Sequence, residues 1–142
     1  MNELTDIDMS ENEITGTIPE SLYTNLDLEY VELYDNEITG TLSPSIEDLT
    51  QIRVFSVSNN EIKGNIPTQL FSVNLEELRY LYLDNNELTG PVPENYGESP
   101  RLKDLWLNDN KLTGPLPAIA DGEFPSLGKF SLLLKFEICY IL

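Results

Sequence analysis

The phrase NEITGTIP, at residues 12–19, recurs four more times in this chain with small changes. It returns as NEITGTLSP at residues 36–44, NEIKGNIP at 60–67, NELTGPVP at 86–93 and NKLTGPLP at 110–117. The intervals from each asparagine to the next are 24, 24, 26 and 24 residues. A fixed period of this length is typical of proteins in which each repeat packs only against its neighbours. The sequence therefore predicts a solenoid of five stacked repeats.

The same apolar frame precedes each phrase. Two of its residues are spaced by two, as in Val31 and Leu33, which places both side chains on one face of a strand. We therefore predict one short strand in each repeat, with this face turned into the core. The frames are Leu4, Ile7 and Met9; Leu28, Val31 and Leu33; Ile52, Phe55 and Val57; Leu78, Leu81 and Leu83; and Leu102, Leu105 and Leu107.

An asparagine follows each predicted strand by three residues, where the chain turns away and its backbone groups need new partners. A side-chain amide offers both donors and an acceptor. We interpret these residues as a structural column of buried, hydrogen-bonded side chains with no catalytic role. The column consists of Asn12, Asn36, Asn60, Asn86 and Asn110.

The rest of each repeat predicts a turn and a short helix. A glycine lies two residues after the next apolar position, where positive φ or a close approach is expected. Proline usually follows and is suited to open the next segment, although Ser43 takes its place in repeat two. Three-residue spacing of apolar residues, as in Leu70 and Val73, favours a short helix or 3₁₀ turn.

The stretches LRYLYLDNNELTGPVP (residues 78–93) and LKDLWLNDNKLTGPLP (residues 102–117) resemble plant-type leucine-rich repeats with an L-T-G-x-I-P tail. Such repeats occur in receptor-like kinase ectodomains and polygalacturonase-inhibiting proteins. The resemblance covers roughly residues 4–127, in five copies. It implies an α/β solenoid, a right-handed superhelix with a concave parallel β-sheet, short helical or 3₁₀ turns on the convex side, and extra strand-like pairing at the tail.

The predicted domain organisation is five repeats over residues 1–126 and a different segment over residues 127–142. In that segment Lys135 stands where the next asparagine is expected. It is either a degenerate sixth repeat that forms a closing strand or hairpin, or it ends in a foreign tail. Secreted relatives usually carry paired-cysteine caps and a signal peptide, whereas Cys139 is the single cysteine here. We expect the chain to be part of a larger protein.

The charge is strongly acidic, with 8 Lys plus Arg against 25 Asp plus Glu and a formal net charge of −17. Such a surface repels phosphate groups, which argues against nucleic acid and anionic membranes as partners. The first 52 residues hold thirteen acidic and no basic residues. Any electrostatic steering there favours a cationic partner. Histidine is absent, which excludes Ser-His and Cys-His nucleophile pairs and histidine metal sites.

Two kinds of acidic site are conceivable from the sequence. Asp6, Asp8 and Glu32 could form a glycosidase pair, which needs two carboxyl groups about 5 to 9 Å apart across a cleft. Acids on an open sheet are solvated and stay ionised, so we expect no enzyme. The same residues with Asp35 offer oxygens to calcium, but no loop has the spacing of an EF-hand. We expect no metal site and no cofactor.

A column of turn threonines suggests a regular surface of the kind that could bind ice or mineral. Lys63 interrupts this column, so we interpret its members as ordinary turn residues. They are Thr15, Thr39, Thr89 and Thr113.

The side chains between the core positions of each strand are predicted to face outward on the concave sheet. Four of the seven tyrosines and the only tryptophan lie there, which is typical of an interface. The alternative is ordinary cross-strand packing of β-prone residues. In repeat three the positions hold Val54, Ser56 and Ser58. The candidate ligand-binding residues are Tyr30, Glu32, Tyr34, Tyr80, Tyr82, Asp84, Asp104, Trp106 and Asn108.

The sequence thus favours a non-catalytic recognition module that binds a protein or peptide ligand on its concave sheet. The alternative is a carbohydrate-binding or wall-enzyme-inhibiting solenoid, in which the aromatic rings would stack on sugars. The sequence assigns no compartment and contains no signal peptide or membrane-spanning stretch. The resemblance alone implies a receptor-like parent protein that is extracellular or anchored in a membrane.

Overall fold

The computed structural model describes residues 4–117 and the backbone of residues 129–131. Strands and 3₁₀ helices alternate along this part of the chain, and all the helices described there are of the 3₁₀ type. The elements are β1 (Asp6–Asp8), β2 (Thr15–Thr17), a first 3₁₀ helix (Glu20–Thr24), β3 (Tyr30–Glu32), β4 (Glu37–Thr39), a second 3₁₀ helix (Pro44–Asp48), β5 (Val54–Ser56), β6 (Lys63–Asn65), a third 3₁₀ helix (Thr68–Phe71), β7 (Tyr80–Tyr82), β8 (Glu87–Gly90), β9 (Asp104–Trp106), β10 (Lys111–Leu112) and β11 (Lys129–Ser131).

The main sheet is parallel and contains one strand from each successive repeat, in the order β1-β3-β5-β7-β9-β11. Equivalent residues pair across it, so that Val31 lies between Ile7 and Phe55. Because each strand pairs only with its predecessor and successor, the repeats stack in one direction, as in a solenoid. The predicted α/β solenoid is therefore confirmed. The backbone strand β11 follows β9 in the same register.

The core is a column of apolar side chains behind the main sheet. Residues at the framed positions of the middle repeats are buried, and Leu28, Phe55 and Leu81 are at most 1% exposed. Burying one such side chain stabilises the fold by about 1.5 to 3 kcal/mol. The column is continuous because every inner repeat is covered on both sides.

The first repeat departs from the predicted core pattern. Leu4 and Met9 were expected to be buried, yet they are 52% and 50% exposed. Ile7 and Ile14 are only partly buried against the core. Within the described residues, no repeat packs on the outer side of β1, so the apolar positions of repeat one are covered on a single side.

The asparagines link neighbouring repeats through their side chains. Asn60 shows the arrangement: its Oδ1 accepts from the amide of Ile38 at 2.9 Å, and its Nδ2 donates to the carbonyl oxygens of Leu33 and Val57. Equivalent bonds are made by Asn36, Asn86 and Asn110, which are buried as well.

Asn12 is the exception within this column, and the prediction of burial is wrong for it. It is exposed, because no described repeat covers that side of β1. Its Nδ2 still donates to the carbonyl oxygens of Met9 and Ser10, at 3.1 and 2.8 Å. The local turn is thus made in repeat one without the bond to a preceding repeat.

The tails of the repeats form two smaller parallel sheets, β2-β4 and β6-β8-β10. An isolated bridge between Thr41 and Lys63 joins the two. The threonine side chains serve this region locally: Thr39 Oγ1 donates to the carbonyl oxygen of Gly16 at 3.1 Å. Thr15, Thr39 and Thr89 lie within the short strands β2, β4 and β8, so their interpretation as turn residues is wrong.

The 3₁₀ helices return the chain to the main sheet. Pro19 and Pro67 precede the first and third, and in repeat two the hydroxyl of Ser43 accepts from the amide of Ser45, which caps the second. The helix predicted from the spacing of Leu70 and Val73 does not reach Val73, which is 61% exposed. The third helix ends at Phe71, which is fully buried, so the chain has already left the helical spacing at Val73.

Candidate outward face of the main sheet

The outward residues of the main sheet form rows, because equivalent positions are paired in register. One row runs through Glu32, Ser56, Tyr82 and Trp106. A second row runs through Tyr30, Val54, Tyr80 and Asp104. Neighbouring strands lie about 4.8 Å apart, so residues two strands apart in a row are separated by about 10 Å at the backbone.

Three of the predicted aromatic residues are in contact. The ring centroids of Tyr82 and Trp106 lie 5.0 Å apart with planes tilted by 55°, and those of Tyr80 and Tyr82 lie 6.3 Å apart. Trp106 is 37% exposed. The hydroxyl of Tyr82 reaches Asp104 Oδ2 at 3.5 Å. These residues form a half-exposed aromatic wall over repeats four and five.

The hydroxyl of Tyr82 has a perturbed acidity. Burial, followed by the charges of Asp104 and other neighbours, raises its pKa from 10.0 to about 12. The phenol therefore stays neutral well into the alkaline range. In its neutral form it donates a hydrogen bond as well as accepting one.

Tyr30, Glu32 and Tyr34 lie on the other side of repeat three. They are half-buried and stand on repeat two, so the five predicted rings fall into two groups. The sequence predicted a common face and the rows agree, but the rings do not converge on one cluster.

Between these two groups lies a depression with a volume of about 260 Å³. Its floor is repeat three, through Val54, Ser56, Ser58 and Asn59. These four residues were not among the predicted site residues. The sequence did contain a signal for them. At its outward positions repeat three carries only small side chains, whereas the repeats on both sides of it carry tyrosines there. The walls are Glu32 and Tyr34 on one side and Tyr82, Asp84 and Trp106 on the other.

Asp84 is the most buried acid of this surface, at 6% exposure. Its Oδ1 accepts from Ser58 Oγ and its Oδ2 from Asn85 Nδ2. No Lys or Arg of the described residues lies within ion-pair distance of it. The arginines that precede β5 and β7 are paired elsewhere, Arg53 with Glu29 at 3.0 Å and Arg79 with Glu77 at 3.6 Å.

Asp104, Asn108 and Asp8 do not line the depression. Asp104 faces Tyr82, and the half-buried Asn108 donates through Nδ2 to Asp109. Asp8 is exposed, and hydrogen bonds from the hydroxyl and amide of Ser10 lower the pKa of its carboxyl. Among the described residues, no group of three or more acidic, cysteine or histidine side chains is placed to hold a metal ion.

Comparison with known proteins agrees with this architecture. The family model of the leucine-rich repeat matches residues 3–25, 27–49, 77–98 and 101–121, which together exceed half of the chain. The chain belongs to the leucine-rich repeat family. No curated protein has a significantly similar sequence.

Solved structures that are similar to this chain include leucine-rich repeat proteins from plants. The plant peptide hormone receptor RGFR1, in complex with RGF2, is 32% identical with a TM-score of 0.77, over 80% of this chain and 18% of the receptor chain. The BIR3–SERK2 complex from Arabidopsis thaliana is 28% identical with a TM-score of 0.78, over 96% of this chain and 73% of that one. A plant ice-binding protein is 31% identical with a TM-score of 0.76, over 80% and 36%.

The leucine-rich repeat chain thus spans less than a fifth of RGFR1. None of the helices described here has the length and apolar character of a membrane span.

Proposed function

We propose that this leucine-rich repeat chain is a non-catalytic recognition module, part of a larger receptor-like protein, that binds a peptide or protein segment on the outward face of its main sheet. The observation that carries the proposal is the depression over repeat three, which has an aromatic wall on one side and a tyrosine on the other. Rings of this kind bury area while keeping a polar edge, and they dominate binding energies at interfaces.

The likeness to peptide hormone receptors supports this choice of ligand class. RGFR1 is a peptide hormone receptor, and PEPR1 is solved with AtPEP1. Both are 32% identical to this chain. The described sheet of six strands is about 25 Å wide, which suits an extended peptide better than a large globular surface.

Electrostatics supports a cationic ligand. The chain has a formal net charge of −17. None of the residues that line the depression is basic, whereas Glu32 and Asp84 both contribute to it. Complementary charge speeds the encounter with a positive partner and slows that with a negative one.

A sugar ligand is less well supported. Stacking a sugar ring favours a broad flat aromatic surface, whereas the planes of Tyr82 and Trp106 are tilted by 55° to each other and form none between them.

The test is selection from a random peptide display library on the immobilised 142-residue chain. Enriched peptides are then titrated against the wild type and against Tyr82→Ala and Trp106→Ala. We expect each substitution to weaken binding by about 2 kcal/mol or more, because central aromatic residues carry most of the energy of such interfaces.

The controls are Glu94→Gln and Glu98→Gln, which change exposed acids after the third 3₁₀ helix, remote from the outward face. Peptides that ignore the Tyr82 and Trp106 changes and are lost with the Glu94 or Glu98 variants would refute the proposed face. A glycan array probed in parallel decides between the two ligand classes, since saturable sugar binding that Trp106→Ala abolishes would favour the alternative.

A further inference from the structure

We propose that the depression over repeat three is a pocket for one cationic side chain of the ligand, an arginine in its preferred form. The inference rests on the proposed function, because it names the chemistry recognised at the same face. It begins from the carboxylate of Asp84, which is 6% exposed and lines the depression.

Asp84 is buried without a cationic partner among the described residues. Its two oxygens accept only from neutral donors, Ser58 Oγ and Asn85 Nδ2. Removing a carboxylate from water is costly unless it is paired, and hydrogen bonds from neutral groups compensate only in part. A carboxylate oxygen has room for more than one donor, so an arriving cation adds bonds without displacing those present.

The walls suit a guanidinium group. Tyr34 stands on one side, and Tyr82 with Trp106 on the other, with the small side chains of Ser56 and Ser58 between them. Cations bind to the faces of aromatic rings, and the planar guanidinium stacks on them better than an ammonium does. Residues of repeats two and four in the same row, such as Glu32 and Tyr82, lie about 10 Å apart at the backbone. This distance leaves room for one ligand side chain above repeat three.

Glu32 supplies a second carboxylate at the rim. It lies in register with Ser56, one strand away from the floor of the depression. It makes no ion pair within the described residues. An arginine that enters between the walls can therefore meet Asp84 at the base and Glu32 at the entrance.

The depression exists because of a local feature of the sequence. The three outward positions of repeat three hold Val54, Ser56 and Ser58, whereas repeat two holds Tyr30, Glu32 and Tyr34. A large side chain in place of Ser56 would fill the depression. The pocket would then be lost while both walls stay in place.

The experiment is an NMR titration of the chain with acetyl-arginine amide, matched against acetyl-citrulline amide, which has the same shape without the charge. We expect saturable shifts of the Ser56 and Ser58 amides and of the Trp106 indole N–H with the arginine probe, and none with the citrulline probe. Asp84→Asn should weaken binding about tenfold, and Glu32→Gln about threefold, since the first loses a buried charge and the second a solvated one. Ser56→Phe should abolish the shifts, and Glu94→Gln should leave them unchanged.

Each outcome decides the inference. Equal binding of both probes, arginine shifts confined to other surfaces, or no shift at all would overturn it. Glu32→Gln and Ser56→Phe keep the test valid should Asp84→Asn fail to fold. If displayed peptides depend on Tyr82 and Trp106 but contain no enriched basic residue, the cation pocket fails while the proposed function stands. If no peptide binds this face, both fail.

Discussion

Asn60 Oδ1 accepts a hydrogen bond from the amide of Ile38, 22 residues earlier, at 2.9 Å. The same side chain donates to the carbonyl oxygen of Leu33 in that earlier repeat and to Val57 in its own. One amide group therefore closes the turn of its own repeat and completes the backbone of its neighbour. Because the contacts are buried, water cannot replace them if the side chain is removed.

Replacing Asn60 or Asn86 by alanine should lower the free energy of unfolding by about 1 to 3 kcal/mol, because each change leaves buried backbone groups unpaired. The measurement is the midpoint of urea denaturation. Asn74→Ala is the matched control, since Asn74 is exposed and no hydrogen bond of its side chain is described. Equal midpoints for the three variants would refute a structural role for the column.

Gly40→Ala should destabilise the protein more than Gly16→Ala. Both glycines have positive φ, 85° and 89°, so alanine is strained at either position. At Gly40, however, a new Cβ would lie 2.6 Å from Cγ2 of Thr17, whereas at Gly16 it would meet nothing within 4 Å. Thermal unfolding of the two variants measures the difference. If the tails of neighbouring repeats did not pack side by side, Gly40→Ala would not be more destabilising than Gly16→Ala.

Stability should fall at alkaline pH, partly through Tyr23. Its side chain is 2% exposed, and burial raises its pKa from 10.0 to about 12, with a hydrogen bond donated from the backbone of Ser43 opposing this and the charge of Glu20 adding to it. Since the folded state holds the proton more tightly, the stabilisation is complete below pH 10 and is lost as the pH rises through about 12. A shift of this size corresponds to about 2 to 3 kcal/mol.

Urea denaturation from neutral pH to about pH 12 measures this effect. The difference between the wild type and Tyr23→Phe in the free energy of unfolding, plotted against pH, gives the contribution of Tyr23. Tyr82→Phe gives the contribution of the second tyrosine with a raised pKa in the same way. If the wild type and Tyr23→Phe lost stability in parallel, the phenol of Tyr23 would not be held neutral by the fold.

A chain of these 142 residues should self-associate through the outer side of repeat one. Leu4 and Met9 are half exposed there, and a second depression of about 240 Å³ is lined by Met9, Ile14 and Ile18 among others. Added salt should strengthen the association, because it screens the repulsion between molecules of charge −17. Sedimentation velocity at low and high salt measures it.

Met9→Glu should reduce this association. Val73→Glu is the control with the same change of charge, since Val73 is also exposed, at 61%, but follows the third 3₁₀ helix. Equal effects of the two substitutions would indicate that net charge and not the apolar surface of repeat one governs association.

The fold could be predicted from the sequence because the repeats carry the same information several times. The spacing of Val31 and Leu33 gave the strand and its buried face, and the positions of Asn60 and Asn86 gave the turn. Sequence periodicity does not say which neighbours are present, so it predicted burial for Met9 and Asn12, which are exposed. Burial is a property of the stack and not of the motif.

The candidate face was predictable only in part. Alternation along each strand placed Tyr82 and Trp106 on one side, and the rows agree. What alternation could not give is the depression, which depends on the contrast between the small side chains of repeat three and the rings beside it. Nor could alternation show that Asp84 is buried and accepts a hydrogen bond from Ser58 of the preceding repeat. Whether the face binds a ligand stays a prediction.

The asparagine bonds have a direction, and this bears on how the protein is made. The side-chain oxygen of Asn36 accepts a hydrogen bond from the amide of Ile14, that of Asn60 from Ile38, and that of Asn110 from Leu88. Each repeat thus receives a hydrogen-bond acceptor from the repeat that follows it. Synthesis on the ribosome proceeds from the N-terminus. A newly emerged repeat therefore lacks this protein acceptor, and its amide bonds to water, until roughly 24 more residues have left the exit tunnel. Folding during translation must trail elongation by one full repeat.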